Sequence, residues 1–155
     1  MNYPTIFQTL RDADIRYVLI GGMAVVLHGY PRFTQDMDIV LDLEPANAGR
    51  FLASMEKIGF APRVPVPASA FLDPLQREAW VREKNLQAFS FVCREDPFFI
   101  VDVLLTIPYE SVPAVVLEAA GMQVPVIARA ALIRMKKATG RTQDLADAEA
   151  LESAR

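Results

Sequence analysis

The chain has 155 residues, 52% of them hydrophobic and 23% charged, with a net charge of −3 and a pI near 5.2. That length is enough for one substantial core, and the composition excludes a disordered chain. The acidic balance argues against tight, sequence-reading DNA binding, which would need a basic footprint. One cysteine, Cys93, rules out an intramolecular disulfide and fits a reducing compartment. With His28 as the only histidine, a structural zinc site lacks its four nitrogen or sulfur ligands. The N-terminus lacks the basic start and apolar run of a signal peptide, and no run of 18 or more apolar residues occurs, so a cytoplasmic protein with no membrane span is expected.

In chain order, Ile6, Phe7 and Leu10 share one face of a helix expected from about Pro4 to Ala13, with the proline in its first turn. "RYVLIGG" reads as a short buried strand that stops at Gly21 and Gly22, and "MAVVLHG" as a helix closed by Gly29. "MDIVLDL" is the next strand, and "PANAGRFLASMEKIGF" an amphipathic helix with Phe51, Leu52, Met55 and Ile58 on one side. The three prolines of "APRVPVPAS" fit an edge or a loop. "FLDPLQREAWVREKN" reads as a short helix beside the site. "LQAFSFVC" and "FFIVDVLLT" predict an antiparallel pair of strands across the turn "REDP". "MQVPVIA" is a short extended piece. Two helices follow, the first ending at Gly140 and the second with Thr142 as its N-cap. Helices and strands thus interleave around one sheet. The expected fold class is α+β (α/β), one domain over residues 1–155 with a helical segment over about 129–153.

Two features ask for chemistry. Asp36 and Asp38 are spaced i, i+2, so on extended backbone both carboxylates leave one face and repel unless a cation lies between them. Mg²⁺ is held in this way, by one or two carboxylates together with substrate phosphates. A solvated loop is the plainer reading of such a pair alone. Asp102 lies inside "FFIVDVLLT", where a strand buried on both faces would leave an unpaired carboxylate at a cost of several kcal/mol. It therefore needs a metal, a raised pKa, or a cation such as Arg32 or Arg134. Gly21 and Gly22, between strand and helix, let backbone amides approach a phosphate, and serve equally as a tight turn.

Taken together, "GGMAVVLHGYPRFTQDMDIVLDL" resembles the signature of the nucleotidyltransferase superfamily with the DNA polymerase beta-like fold. The variant H-G-x-x-R-x-T-x-D-x-D and the tail "LIRMKKATGRTQDLADAEAL" are similar to small bacterial members, among them AbiEii-type toxins. The resemblance implies a mixed sheet flanked by helices and transfer of a nucleoside monophosphate from a nucleoside triphosphate to an acceptor hydroxyl. It implies metal ligation (Mg²⁺ or Mn²⁺) by Asp36, Asp38 and Asp102, with Asp102 also a candidate base. Gly21 and Gly22 would bind the triphosphate, and Lys136 would add positive charge there. Arg32 would touch phosphate or brace the loop through an aspartate. A protein, a small molecule or an RNA end is the implied acceptor, and an antitoxin or helical protein the implied partner. A non-catalytic nucleotide- or partner-binding protein on the same fold is the alternative. Of the remaining residues, His28 reads as structural, Thr34 as a loop hydrogen-bonder, and Cys93 and Trp80 as packing. Asp144 and Asp147 read as stabilisers of the last helix or partners of Arg141, and Lys136 and Lys137 read equally as the solvated end of a helix, where cations suit the dipole.

Overall fold

The computed structural model describes residues 1–153. In chain order the elements are α1 (Tyr3–Asp12), β1 (Tyr17–Ile20), α2 (Gly21–Leu27), β2 (Asp36–Leu41), α3 (Pro45–Lys57), β3 (Phe60–Pro62), α4 (Pro74–Lys84), β4 (Ala88–Cys93), β5 (Ile100–Leu104), β6 (Ala114–Ala119), β7 (Met122–Ile127), α5 (Arg129–Thr139) and α6 (Thr142–Ser153). The strands form one sheet in the order β3-β4-β5-β2-β1-β7-β6. It is mixed: β5 runs parallel to β2 and β7 parallel to β1, while the other neighbours are antiparallel. This is the expected α/β arrangement.

Local sequence explains most of these boundaries. Asn2 caps α1 by accepting the Thr5 N–H at 2.8 Å, and Glu44 and Asp73 cap α3 and α4 in the same manner, each ahead of a proline. Gly140 closes α5 in the left-handed conformation. α2 begins two residues earlier than the pattern predicts, with Gly21 and Gly22 forming its first turn, and ends at Leu27 ahead of Gly29. Thr142 is the first residue of α6 rather than its cap.

The sheet buries one face more completely than the other. Met37 and Ile39 of β2, Phe89 and Phe91 of β4, and Val101 and Val103 of β5 all point to the same side and are no more than 1% exposed. Helix α3 closes over them with Phe51, whose ring meets Phe91 edge-on at 5.5 Å, and α4 stacks Trp80 on Phe89 at 5.0 Å. Phe71, from a 3₁₀ turn over Ala68–Leu72, fills the space between. Cys93 is buried in this core.

Three expectations need correction here. "FFIVDVLLT" is not buried on both faces, because β5 alternates and Asp102 falls on the more open side. Helix α4 does not stand beside the acidic residues, since Trp80 ties it to the face carrying Phe89. Strand β6 has no counterpart in the sequence reading. It pairs with β7 through a two-residue turn in which Ala120 and Gly121 both have positive φ, the geometry of a tight hairpin.

Candidate functional site

On the opposite face, strand register builds the site. Asp38 of β2 lies beside Asp102 of the parallel strand β5, and Ser90 of β4 lies beside Asp102 on its other flank. On the far side of Asp38 stands Ile20, the last residue of β1 before Gly21. One row across the sheet thus reads Ser90, Asp102, Asp38, Ile20, and Asp36 lies one pleat along β2 on the same face. The i, i+2 spacing brings Asp36 and Asp38 out together because β2 starts at Asp36. Two adjacent strands, β2 and β5, bring the expected carboxylate trio onto one surface.

The two glycines have distinct reasons to be glycine. Gly21 has φ +68°, and a Cβ there would stand 2.1 Å from Asp38 Oδ2, well inside contact distance. At Gly22 a Cβ would meet Thr34 Oγ1 at 2.8 Å and Arg32 Cζ at 3.1 Å. The first turn of α2 therefore lies directly against the acidic row and against the loop that precedes β2. That loop is braced. Thr34 Oγ1 donates to the Asp36 carbonyl at 3.4 Å, and the Tyr3 hydroxyl donates to the Gln35 carbonyl.

Crowded carboxylates perturb one another. Burial, followed by the negative charges of Asp102 and Asp36, pushes the Asp38 carboxyl up to about 7 against the opposing pull of Lys136 and Arg141. Asp36 is raised by burial and then by Asp102, with Arg63 acting against the shift. Burial, then Asp36 and Asp38, also raises the Tyr3 hydroxyl. The row thus carries surplus negative charge that a cation would relieve. Asp36, Asp38 and Asp102 offer the hard oxygen donors that Mg²⁺ or Mn²⁺ takes. Among the described residues no group of three or more acidic, histidine or cysteine side chains is placed to hold a metal ion. A divalent ion held here would fill its remaining positions with phosphate oxygens and water, as Mg²⁺ at phosphate-binding sites does.

A band of positive charge borders the row, and α6 organises it. Lys136 is only 7% exposed; its Nζ lies 2.9 Å from Asp144 and 3.0 Å from Asp147. Asp147 also takes Arg32, and Asp144 takes Arg141 Nε at 2.7 Å. The Asp144 carboxyl is raised by burial, but hydrogen bonds from Arg141 and Lys136 outweigh that and hold it below its ordinary value. Lys136 is therefore no solvated helix end. Lys137 is the exposed neighbour, paired with Glu152. Arg32 pairs with Asp147, not with Asp102, and still lines the cleft. Neither Arg32 nor Arg134 neutralises Asp102, whose Oδ1 accepts the Ser90 hydroxyl. Sequence reasoning passed over Ser90, although its position in the alternation of "AFSFVC" sets it on the face opposite Phe89 and Phe91. His28 is structural: its Nε2 lies 2.8 Å from the Ile127 carbonyl.

Two cavities open on Asp38. One, of about 480 Å³, contains Gly22, Arg32, Asp36 and Asp102. The other, of about 650 Å³, lies toward Leu104 and Met135. Gly21, Asp38, Lys136, Arg141 and Asp144 are common to both.

No family model matches the chain, and no curated protein matches it in sequence. Solved structures do. The lincosamide antibiotic adenylyltransferase LnuA, in its lincomycin-bound form, superposes with a TM-score of 0.65 at 17% identity, covering 96% of this chain and 92% of its own. The antibiotic-resistance factor ANT(2″)-Ia gives a TM-score of 0.63 at 13% identity, covering 96% and 80%. An antigenic nucleotidyltransferase-like protein from Paracoccidioides brasiliensis gives 0.55 at 17%, covering 95% and 72%. The architecture described above is thus the nucleotidyltransferase fold, as the Gly-Gly and Asp-x-Asp signature implies.

Proposed function

We propose that the protein is a metal-dependent nucleotidyltransferase that moves a nucleoside monophosphate from a nucleoside triphosphate to a hydroxyl of a small molecule. The observation that carries this reading is the placement of Asp36, Asp38 and Asp102 on one face, with Gly21 packed against Asp38. In the reaction the acceptor oxygen bonds to the α-phosphorus as the bond from that phosphorus to the β-phosphate bridging oxygen breaks, and pyrophosphate leaves. Asp36, Asp38 and Asp102 are the residues to hold the divalent ions, which supply charge stabilisation to the entering and leaving oxygens. Asp102 takes the acceptor proton while Ser90 fixes the orientation of its carboxylate. The free amides at the start of α2 receive the triphosphate, and Lys136, Arg32 and Arg141 offset its charge.

A small-molecule acceptor is supported by the likeness to antibiotic adenylyltransferases and by cavities of about 480 and 650 Å³, the scale of small-ligand pockets. Resemblance to AbiEii-type toxins favours the second reading, an RNA or protein acceptor with an antitoxin as partner. We place the reaction in the cytoplasm, where Cys93 remains a thiol. Incubation with each α-labelled ribonucleoside triphosphate and Mg²⁺, against separate pools of small hydroxylated compounds, RNA and protein, tests the proposal. Label enters the small-molecule pool with release of pyrophosphate and is lost in Asp102→Asn. Label in RNA or protein instead selects the second reading, and no transfer in any pool rejects both.

A further inference from the structure

The row of carboxylates continues beyond Ser90. Arg63 follows β3, and its backbone N–H donates to the Ser90 carbonyl at 2.9 Å, which carries the β3–β4 register one pair further. Across the sheet the row then reads Arg63, Ser90, Asp102, Asp38, Ile20. Gly21 stands at one end of it and Arg63 at the other, with the acidic residues between. In-line displacement sets the leaving pyrophosphate and the attacking oxygen on opposite sides of the α-phosphorus. A triphosphate seated at Gly21 therefore leaves the Ser90 and Arg63 end to the acceptor.

Between Arg63 and the acidic residues lies an open piece of sheet. Ser90, Val92 and Ile100 share the face of Asp102 and are only half-buried, because α3 and α4 cover the other face. One strand separates β3 from β5, a span of about 10 Å at the usual strand spacing, which suits a compact molecule. The charge at the far end sets its chemistry. Arg32 and Arg141 are held by Asp147 and Asp144. Arg63 is exposed and forms no ion pair among the described residues. Its charge still reaches Asp36, where it opposes the upward push of burial and then of Asp102. An anion approaching three carboxylates is repelled, and a guanidinium beyond them offsets that repulsion and grips an oxyanion through paired hydrogen bonds. A neutral or cationic acceptor needs no such group.

We propose that Arg63 determines acceptor specificity, and that the acceptor is a compact hydroxylated anion, a sugar phosphate or a sugar acid. Its phosphate or carboxylate rests on Arg63 while its hydroxyl lies over Asp102. The hydroxyl oxygen bonds to the α-phosphorus, its proton passes to Asp102, and pyrophosphate leaves. The proposal rests on the nucleotidyltransferase reading, and binding of inorganic triphosphate, which involves no acceptor, separates the two. Pools of hexose and pentose phosphates, of gluconate and glucuronate, of neutral sugars and polyols, and of amino sugars are each incubated with α-labelled ribonucleoside triphosphates and Mg²⁺. Calorimetry measures inorganic triphosphate with Mn²⁺ in parallel. One anionic pool takes label at least tenfold faster than the neutral and amino-sugar pools, and which one it is identifies the oxyanion. Arg63→Glu lowers that rate tenfold or more by raising the KM for the acceptor, and Arg63→Lys keeps most of it. Both variants bind inorganic triphosphate within twofold of wild type. Label entering neutral or amino sugars as fast as the anions, or a rate unchanged in Arg63→Glu, overturns the proposal and leaves the transferase reading standing. Loss of triphosphate binding in Arg63→Glu also overturns it, since Arg63 then belongs to the phosphates. No label in any pool overturns it as well, and if wild type fails to bind inorganic triphosphate the underlying reading falls with it.

Discussion

Gly21→Ala sets the packing of the site against its backbone conformation. The native φ of +68° disfavours any residue with a Cβ, at about 1–2 kcal/mol. The new methyl would also stand 2.1 Å from Asp38 Oδ2, 2.8 Å from its Cγ and 2.9 Å from its Cβ. Overpacking of that kind costs about 1–3 kcal/mol, so the total is about 2–5 kcal/mol. Two other glycines supply controls. Gly29 also has positive φ, at +101°, yet a Cβ there meets nothing within 4 Å, so Gly29→Ala carries only the backbone cost. Gly49 lies within α3, has no positive φ and open space, so Gly49→Ala stabilises by about 0.5–1 kcal/mol. Asp38→Ala removes two of the three crowding atoms and lowers the cost of Gly21→Ala by about 1 kcal/mol or more in a double-mutant cycle. Urea unfolding of the single and double variants measures every quantity. Equal destabilisation by Gly21→Ala and Gly29→Ala, or no coupling to Asp38, refutes the contact argument.

Asp38 makes stability depend on pH. Its carboxyl, held up at about 7 in the folded state by burial and then by Asp102 and Asp36, titrates near its ordinary value of 3.8 when unfolded. Between those values the folded protein binds the extra proton, so stability falls as pH rises through that window and is flat above it, by a few kcal/mol, on the order of 3–4. Asp38→Asn, melted in chelator, is therefore more stable than wild type at pH 8 and equal to it near pH 4; equal stability at pH 8 contradicts the assigned cause. Lys136→Met leaves Asp144 and Asp147 buried with fewer cations and costs about 3–5 kcal/mol by urea denaturation, whereas a cost below about 1 kcal/mol would show the pairs to be solvated. Ser90→Ala costs about 1 kcal/mol in stability and lowers kcat with little change in the KM for the triphosphate; a change confined to KM removes Ser90 from the acceptor side.

The parts of this molecule legible in the sequence are those set by local pattern. The periodic helices α1, α3 and α5, the strands β1, β2, β4 and β5, and the Gly-Gly and Asp-x-Asp motifs all carry their signal within a dozen residues. What escaped depends on register between distant segments. The alternation of β5 is hidden because Ile100 and Leu104 are apolar on the open face as well, so the run around Asp102 looks buried on both sides. Ser90 gains meaning only once β4 is set beside β5. Strand β6 lacks an Asn-Gly turn, and its valines are partly exposed, Val116 at 61%, which weakens the strand signal. Likewise, Asp144 and Asp147 read as helix stabilisers until α6 folds back and gives both of them to Lys136.

Asp36, Asp38 and Asp102 are the proposed divalent-metal site for a nucleoside triphosphate. Calorimetric titration of the four ribonucleoside triphosphates with Mg²⁺ or Mn²⁺, in wild type and in Asp36→Ala/Asp38→Ala, tests it most directly. Metal-dependent binding in wild type that vanishes in a folded double variant is the predicted result. Binding that needs no metal, or that survives loss of both aspartates, contradicts the account.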